Sequence, residues 1–226
     1  MKQEVINLIL NITNGDAFNE YFLNTHPGEK AIAFREAMMQ GRAEKKIFDE
    51  NFILLRSAEL GVSPDEYAEK MSDIISLGNK QNEYSEICLW FGRDTFCQLN
   101  LLTLLAFLEQ TEYQGDIGLI LVDDENFLQL SALNHVTTGI YGNLYRRILI
   151  DRDAGIAGCD TGVIDRKAIM LYFDYLSDDG RLAQFIRSQP QEKGEDELVR
   201  LLLKESYDYG LSDIQARNLI KGIRKG

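Results

Sequence analysis

Cysteine, histidine and proline are scarce in this chain. Among 226 residues there are three cysteines, two histidines and three prolines. Cys88, Cys97 and Cys159 form no CxxC pair, and His26 and His135 stand far apart. Neither a disulfide framework nor a structural zinc site is expected from such a set. The odd cysteine count fits a reducing compartment where thiols stay free. Long apolar runs are missing too. The longest, Leu99 to Leu108, is interrupted by Asn100 and Thr103, and a membrane span needs about 20 apolar residues. The run Val5 to Ile12 breaks at Asn14-Gly15-Asp16 without a small-residue cleavage pattern. No secretory leader is expected, and the cytoplasm is the expected location. Excess positive charge is also absent. Lysine and arginine number 24 against 36 acidic residues, for a net charge of −12 and a pI near 4.7. Nucleic acid is therefore an unlikely partner, since such binding rests on neutralising phosphates. GxGxxG and GxxxxGK[ST] are both missing, which removes the usual dinucleotide and P-loop fingerprints.

What remains is an ordinary globular composition, 45% apolar and 27% charged. The charge is unevenly spread. Residues 1–125 carry ten basic and twenty-two acidic side chains, whereas residues 126–226 carry fourteen of each. This shift suggests two units, 1–125 and 126–226.

The first unit alternates strand and helix patterns. Val5 to Ile12, Ala31 to Phe34, Glu86 to Phe91 and Ile117 to Val122 read as strands rich in apolar residues. Asp16 is expected to cap a helix from about Ala17 to Leu23. Residues 44–60 have helical spacing and stop at Gly61. Ser63-Pro64-Asp65-Glu66 has the form of a capping box with proline at the first position, starting a helix to about Leu77. A strongly apolar helix is expected over Thr95 to Gln110. Alternation of this kind predicts an α/β fold: an open, mostly parallel, Rossmann-like sheet with helices on both faces. The second unit reads as a smaller, mainly helical region. Helices are expected over Phe127 to Leu133, Ala168 to Leu176, Arg181 to Ile186 and Glu195 to Tyr207, and after the Ser212–Gln215 capping box. Residues 136–165, with recurrent glycines, give no clear pattern.

In an open parallel sheet, ligands bind beyond the carboxyl ends of the strands. Four such ends carry Asn14-Gly15-Asp16, Arg35-Glu36, Gly92-Arg93-Asp94 and Asp123-Asp124. Carboxylates beside arginines suit a metal with a phosphate, or acid–base work. Each of these groups also reads as an ordinary turn or helix cap. Cys97, in the first turn of a helix with no histidine nearby, reads as a buried, inert cysteine. The basic tail Arg217 to Lys225 reads as a solvated helix end.

The series Asn11-Ile12-Thr13-Asn14-Gly15-Asp16, Phe34-Arg35-Glu36-Ala37-Met38 with Gly41, Arg56, and Leu89-Trp90-Phe91 with Asp94 and Phe96-Cys97-Gln98-Leu99-Asn100-Leu101-Leu102 resembles the bacterial family known as domain of unknown function 1835. The likeness covers roughly residues 8–122. It continues more weakly through Ala168 to Ile186 and Tyr207 to Gly222. It implies an α/β domain with a helical extension and supplies no reaction. Relatives often carry serine after the aspartate of the first motif. Ala17 stands there in this chain, which removes a serine-hydrolase reading. The pattern positions implied as a site are Asn14, Gly15, Asp16, Arg35, Glu36, Arg56, Trp90, Asp94 and Gln98. Arg35 and Arg56 are expected to hold a small anionic ligand, a phosphate group first. Asp16 and Asp94 are expected to be catalytic, holding Mg²⁺ or serving as acid and base, and Gln98 to bond the ligand. A non-enzymatic module that meets a protein partner through its acidic half is the alternative.

Overall fold

A computed structural model describes residues 8–156 and 158–225 of the chain. Five strands form one open sheet in the order β2-β1-β3-β4-β5. These are β1 (Ile9–Asn14), β2 (Ala31–Phe34), β3 (Glu86–Phe91), β4 (Asp116–Leu121) and β5 (Asn134–His135). The first four are parallel, and β5 pairs antiparallel to β4 through Gly118↔His135 and Leu119↔Asn134. The α/β fold with a mostly parallel open sheet and a helical C-terminal region is as the sequence pattern predicts. Val5, Ile6 and Asn7, assigned by that pattern to the first strand, lie outside the described residues.

Alternation within the strands explains the layering, because successive side chains point to opposite faces. Leu10, Ile12, Ile87, Leu89, Phe91, Ile117 and Leu119 enter the main core. Cys88, Trp90, Ile120 and Val122 turn to the other face, where they meet Phe18 and Phe22 of α1 (Asp16–Thr25). One helix thus covers one face. The other is covered by α5 (Thr95–Gln110), with α2 (Glu50–Leu60), α3 (Pro64–Lys70) and α4 (Ser72–Lys80) beside it. Helix α5 is buried on nearly every side from Thr95 to Leu108, as its all-round apolar sequence requires.

The helical region packs onto the outer side of α5. It comprises α6 (Tyr141–Tyr145), a π-helical turn over Arg146–Ile150, α7 (Arg166–Leu176), α8 (Arg181–Ser188), α9 (Glu195–Glu205) and α10 (Asp213–Lys225). One continuous apolar core runs from Leu10 to Ile220. The division expected at 125/126 therefore does not separate two cores. Beyond residue 125 the chain first returns to the sheet, through a Val122–Gln129 bridge and β5. Phe127 to Leu133 is accordingly not a helix: the Leu128 carbonyl and the Leu130 amide bond the Asp123 amide and the Leu121 carbonyl at the end of β4.

Local departures have simple causes. The segment 44–60 becomes helical only at Glu50, where the Asp49 side chain accepts from the Phe52 amide. The helix predicted over Ser63 to Leu77 breaks at Met71 into α3 and α4, and its capping box is present. Gly15, with φ +86°, occupies the N-cap of α1. Asp16 is therefore the first helical residue and does not cap it. Among the described residues no helix is long and apolar enough to cross a membrane.

Candidate functional site

The winding direction of the sheet reverses between β1 and β3, and the carboxyl ends of those strands flank the crevice. Asn14 closes β1. Gly92-Arg93-Asp94 follows β3 and leads into α5, where Asp94 is the N-cap and its Oδ1 accepts from the Cys97 amide at 2.7 Å. Asp124 follows β4 on a turn organised by Asp123, whose Oδ1 accepts from the Glu125 and Asn126 amides at 3.0 Å. The turn aims Asp124 back at β3, and its Oδ2 accepts from the Arg93 amide at 3.3 Å.

These elements converge on the Cys97 sulfur. Asn14 donates to Sγ at 2.9 Å. Sγ lies 3.2 Å from Asp124 Oδ1 and 3.6 Å from Asp94 Oδ2. The Asn14 amide is oriented by a chain of unambiguous partners. Asn100 Oδ1 accepts from the Met38 backbone amide, and Asn100 Nδ2 donates to the Glu36 carbonyl and to Asn14 Oδ1. Asn14 Nδ2 is thereby left facing the sulfur. Since Sγ accepts there, its own proton is directed to the carboxylates.

Two glycines permit this density. A Cβ on Gly92 would lie 1.6 Å from Asp124 Oδ1, and one on Gly210 would lie 2.5 Å from Asp94 Cγ. Gly210 also has φ +69°, a conformation costly for other residues. It brings the segment before α10 against the sheet edge. Gln98 braces the same corner from below, donating to the Gly92 carbonyl at 2.7 Å and accepting from the Asp165 amide at 2.9 Å.

Burial and the neighbouring Asp124 charge push the Asp94 carboxyl up to about 7. Burial raises Asp124 as well, and burial together with both carboxylates raises the Cys97 thiol far above its usual range. The corner is therefore short of positive charge. Two adjoining cavities open on it. A smaller one of about 180 Å³ is lined by Asn14, Phe18, Cys97 and Phe127, among others. A larger one of about 300 Å³ runs outward between the sheet edge and α7, past Arg93, Asp165, Lys167 and Asp208. Asp94, Asp123 and Asp124 line both.

Of the residues implied by the strand-end motifs, Asn14 and Asp94 line this corner and Gln98 supports it. The others lie elsewhere. Asp16 is exposed and pairs with Arg35 Nε at 2.5 Å; Arg35 also bonds the Lys70 carbonyl and approaches Asp73. Gly15 spends its amide on the Phe34 carbonyl. Trp90 faces α1 and donates to Asn11. The Glu36 and Arg56 side chains are completely buried and pair at 2.9 Å. Arg56 also donates to the Gln40, Arg42 and Ala37 carbonyls, and Tyr67 donates to Glu36. These bonds occupy both terminal nitrogens of the guanidinium. The Glu36–Arg56 pair ties together the long loop after β2.

Cys97, expected to be inert, stands at the centre of this corner, with Gly92 and Asp124 from two of the strand ends; Asn100 and Gly210 carry no signal of their own in the sequence. The Asp123-Asp124 strand end was visible. Nothing local marked Gly210, whose closeness to Asp94 is set by the packing of the helical region.

Comparison with known protein families, with curated proteins and with solved structures finds no match.

Proposed function

We propose that this chain binds a small phosphate-bearing molecule, accompanied by a divalent cation, in the cleft beyond β1, β3 and β4. The observation that carries the reading is the convergence of Asn14, Asp94, Cys97 and Asp124 at the switch point of the sheet, beneath two joined cavities. Purely structural strand ends need only caps, and here the packing tolerates a destabilising concentration of acids. Arg93 lines the outer cleft and suits a phosphate, beside Lys167, which is paired with Asp208. The inner acids repel one, so a cation has to bridge them. The same strand-end motifs motivate a proposed membership of the family known as domain of unknown function 1835.

The test is a thermal-shift screen of nucleotides, sugar phosphates and inorganic phosphate, each with and without divalent cations. A ligand at 100 times its Kd stabilises by about 2.7 kcal/mol, a shift of roughly 5–10 °C for a chain of this size. The reading expects a shift for at least one phosphate compound that is lost in Asp94→Asn. The absence of any shift in a cooperatively melting protein overturns it. A protein-interaction role has one specific support: Leu128, Leu130 and Leu133 are 57%, 48% and 39% exposed along the β4–β5 edge. A partner whose binding is lost in Leu128→Ser would favour that role.

A further inference from the structure

One carboxylate oxygen of Asp94, the sulfur of Cys97 and one carboxylate oxygen of Asp124 lie within 4.8 Å of one another. The sulfur-to-oxygen separations are 3.2 and 3.6 Å. A tetrahedral cation with a metal–sulfur bond of about 2.3 Å and metal–oxygen bonds of about 2.1 Å sets such an edge at about 3.6 Å. The two sulfur–oxygen edges are thus close to the length that one cation would impose, and the oxygen–oxygen edge is no longer than 4.8 Å.

The donors are also presented as ligands are. Each carboxylate has one oxygen pinned by a backbone amide, Asp94 Oδ1 by Cys97 N–H and Asp124 Oδ2 by Arg93 N–H. The other oxygen of each is turned to the sulfur. The Asn14 amide, fixed by Asn100, points a donor at Sγ. Outer partners of this kind orient the ligands of metal sites. No ion pair among the described residues reaches Asp94 or Asp124. The smaller cavity opens directly on all three donors.

We infer that Asp94, Cys97 and Asp124 form a three-ligand site for a thiolate-accepting divalent cation of the zinc class, with an open coordination position facing the cleft. Mg²⁺ prefers an all-oxygen octahedron, whereas a sulfur donor selects zinc-like ions. On binding, Cys97 becomes a thiolate and its proton passes to solvent, as does any proton held by the carboxylates. The open position is where an oxygen of the bound molecule coordinates. The inference rests on reading the cleft as a ligand site, and it specifies the cation.

The experiment is a Co²⁺ titration of the full chain after treatment with chelator, read by ultraviolet absorption and equilibrium dialysis. One equivalent of Co²⁺ is expected, with a sulfur-to-cobalt charge-transfer band. The band is lost in Cys97→Ser and retained in Cys159→Ser. Zn²⁺ displaces the Co²⁺, and a matching concentration of Mg²⁺ does not. Asn14→Ala weakens binding about 10–100-fold. Asp124→Asn, on an exposed turn, also weakens binding while melting cooperatively. Absence of the band, its survival in Cys97→Ser, or equal displacement by Mg²⁺ overturns the inference. A phosphate compound that stabilises the chain only with Mg²⁺ present, while no cobalt band forms, leaves the function proposed above standing and removes only this one. A band with no binding of any phosphate compound does the reverse.

Discussion

Asn14 and Cys97, at the ends of different strand–helix units, meet at 2.9 Å across the point where the sheet changes its winding direction. The contact depends on Asn100, one turn further into α5, which holds Asn14 Oδ1 while bonding two backbone groups beyond β2. Asn100→Asp keeps the acceptor for the Met38 amide and removes both donated bonds. Leaving the buried Glu36 carbonyl without a partner costs roughly 1–3 kcal/mol. The denaturant midpoint is therefore expected to fall, and Co²⁺ affinity to fall with it because Asn14 loses its fixed orientation. An unchanged midpoint would contradict the chain of bonds.

Gly92→Ala is expected to damage the site more than the fold. The backbone there does not need the left-handed region, but the added methyl occupies the place of the Asp124 carboxylate. Asp124 lies on an exposed turn and can swing outward. The protein should melt within a few degrees of the parent and lose cation binding. Gly210→Ala differs, since φ there is +69° and the methyl meets Asp94. Left-handed backbone alone costs about 1–2 kcal/mol, so a fall in Tm should accompany the loss of binding.

The legible parts of the fold are those set by local pattern. β2, β3 and α5 have the bounds that their apolar runs and caps suggest, because Ala31 to Phe34 and Glu86 to Phe91 are short apolar runs between polar breaks. Phe127 to Leu133 was misread because an apolar run of that length fits a strand or a helix, and only the neighbouring β4 decides. The site divided in the same way. Asp94 was legible as a polar residue at a strand end. Cys97 was not, since its meaning comes from Asn14 and Asp124, which are distant in sequence. The burial of Arg56 is not legible either, because an arginine bonded to carbonyls in the core looks, in sequence, like one that binds an anion.

Arg56→Met tests the part that the Glu36–Arg56 pair plays in the fold. Removing one partner of a buried ion pair strands the other and costs about 3–5 kcal/mol. The carbonyls of Ala37, Gln40 and Arg42 lose their donor as well. A large fall in unfolding free energy is expected, with cation affinity per folded molecule unchanged. Arg35→Ala, by contrast, removes a partly exposed pair with Asp16 and is expected to cost about 0–1 kcal/mol. A selective loss of phosphate binding in Arg35→Ala, with stability intact, would place the anion at Arg35 and not in the cleft beyond β3 and β4.

The pH dependence of the chelated protein follows from the same corner. Asp94 is held up to about 7, by burial first and by the Asp124 charge second. In the unfolded chain it returns to the ordinary carboxylate range. Between those limits the folded state keeps a proton that the unfolded state releases, so this contribution is fully present below the unfolded pKa and is lost as pH rises through about 7. The groups around Asp94 are Cys97 on α5, Asp124 and Asp123 beyond β4, Asp165 and Lys167 at the start of α7, Tyr207 and Asp208 before α10, and Arg93 beside it. Lys167 is engaged with Asp208 at 2.9 Å and does not offset the inner pair. The urea midpoint of chelated protein is therefore expected to be higher at pH 5.5 than at pH 8, and Asp94→Asn should flatten that slope. Saturating Co²⁺ should reverse it, because the ligands must lose their protons to bind the cation. A slope that is the same with and without Co²⁺ would place the stabilising proton somewhere other than this cluster.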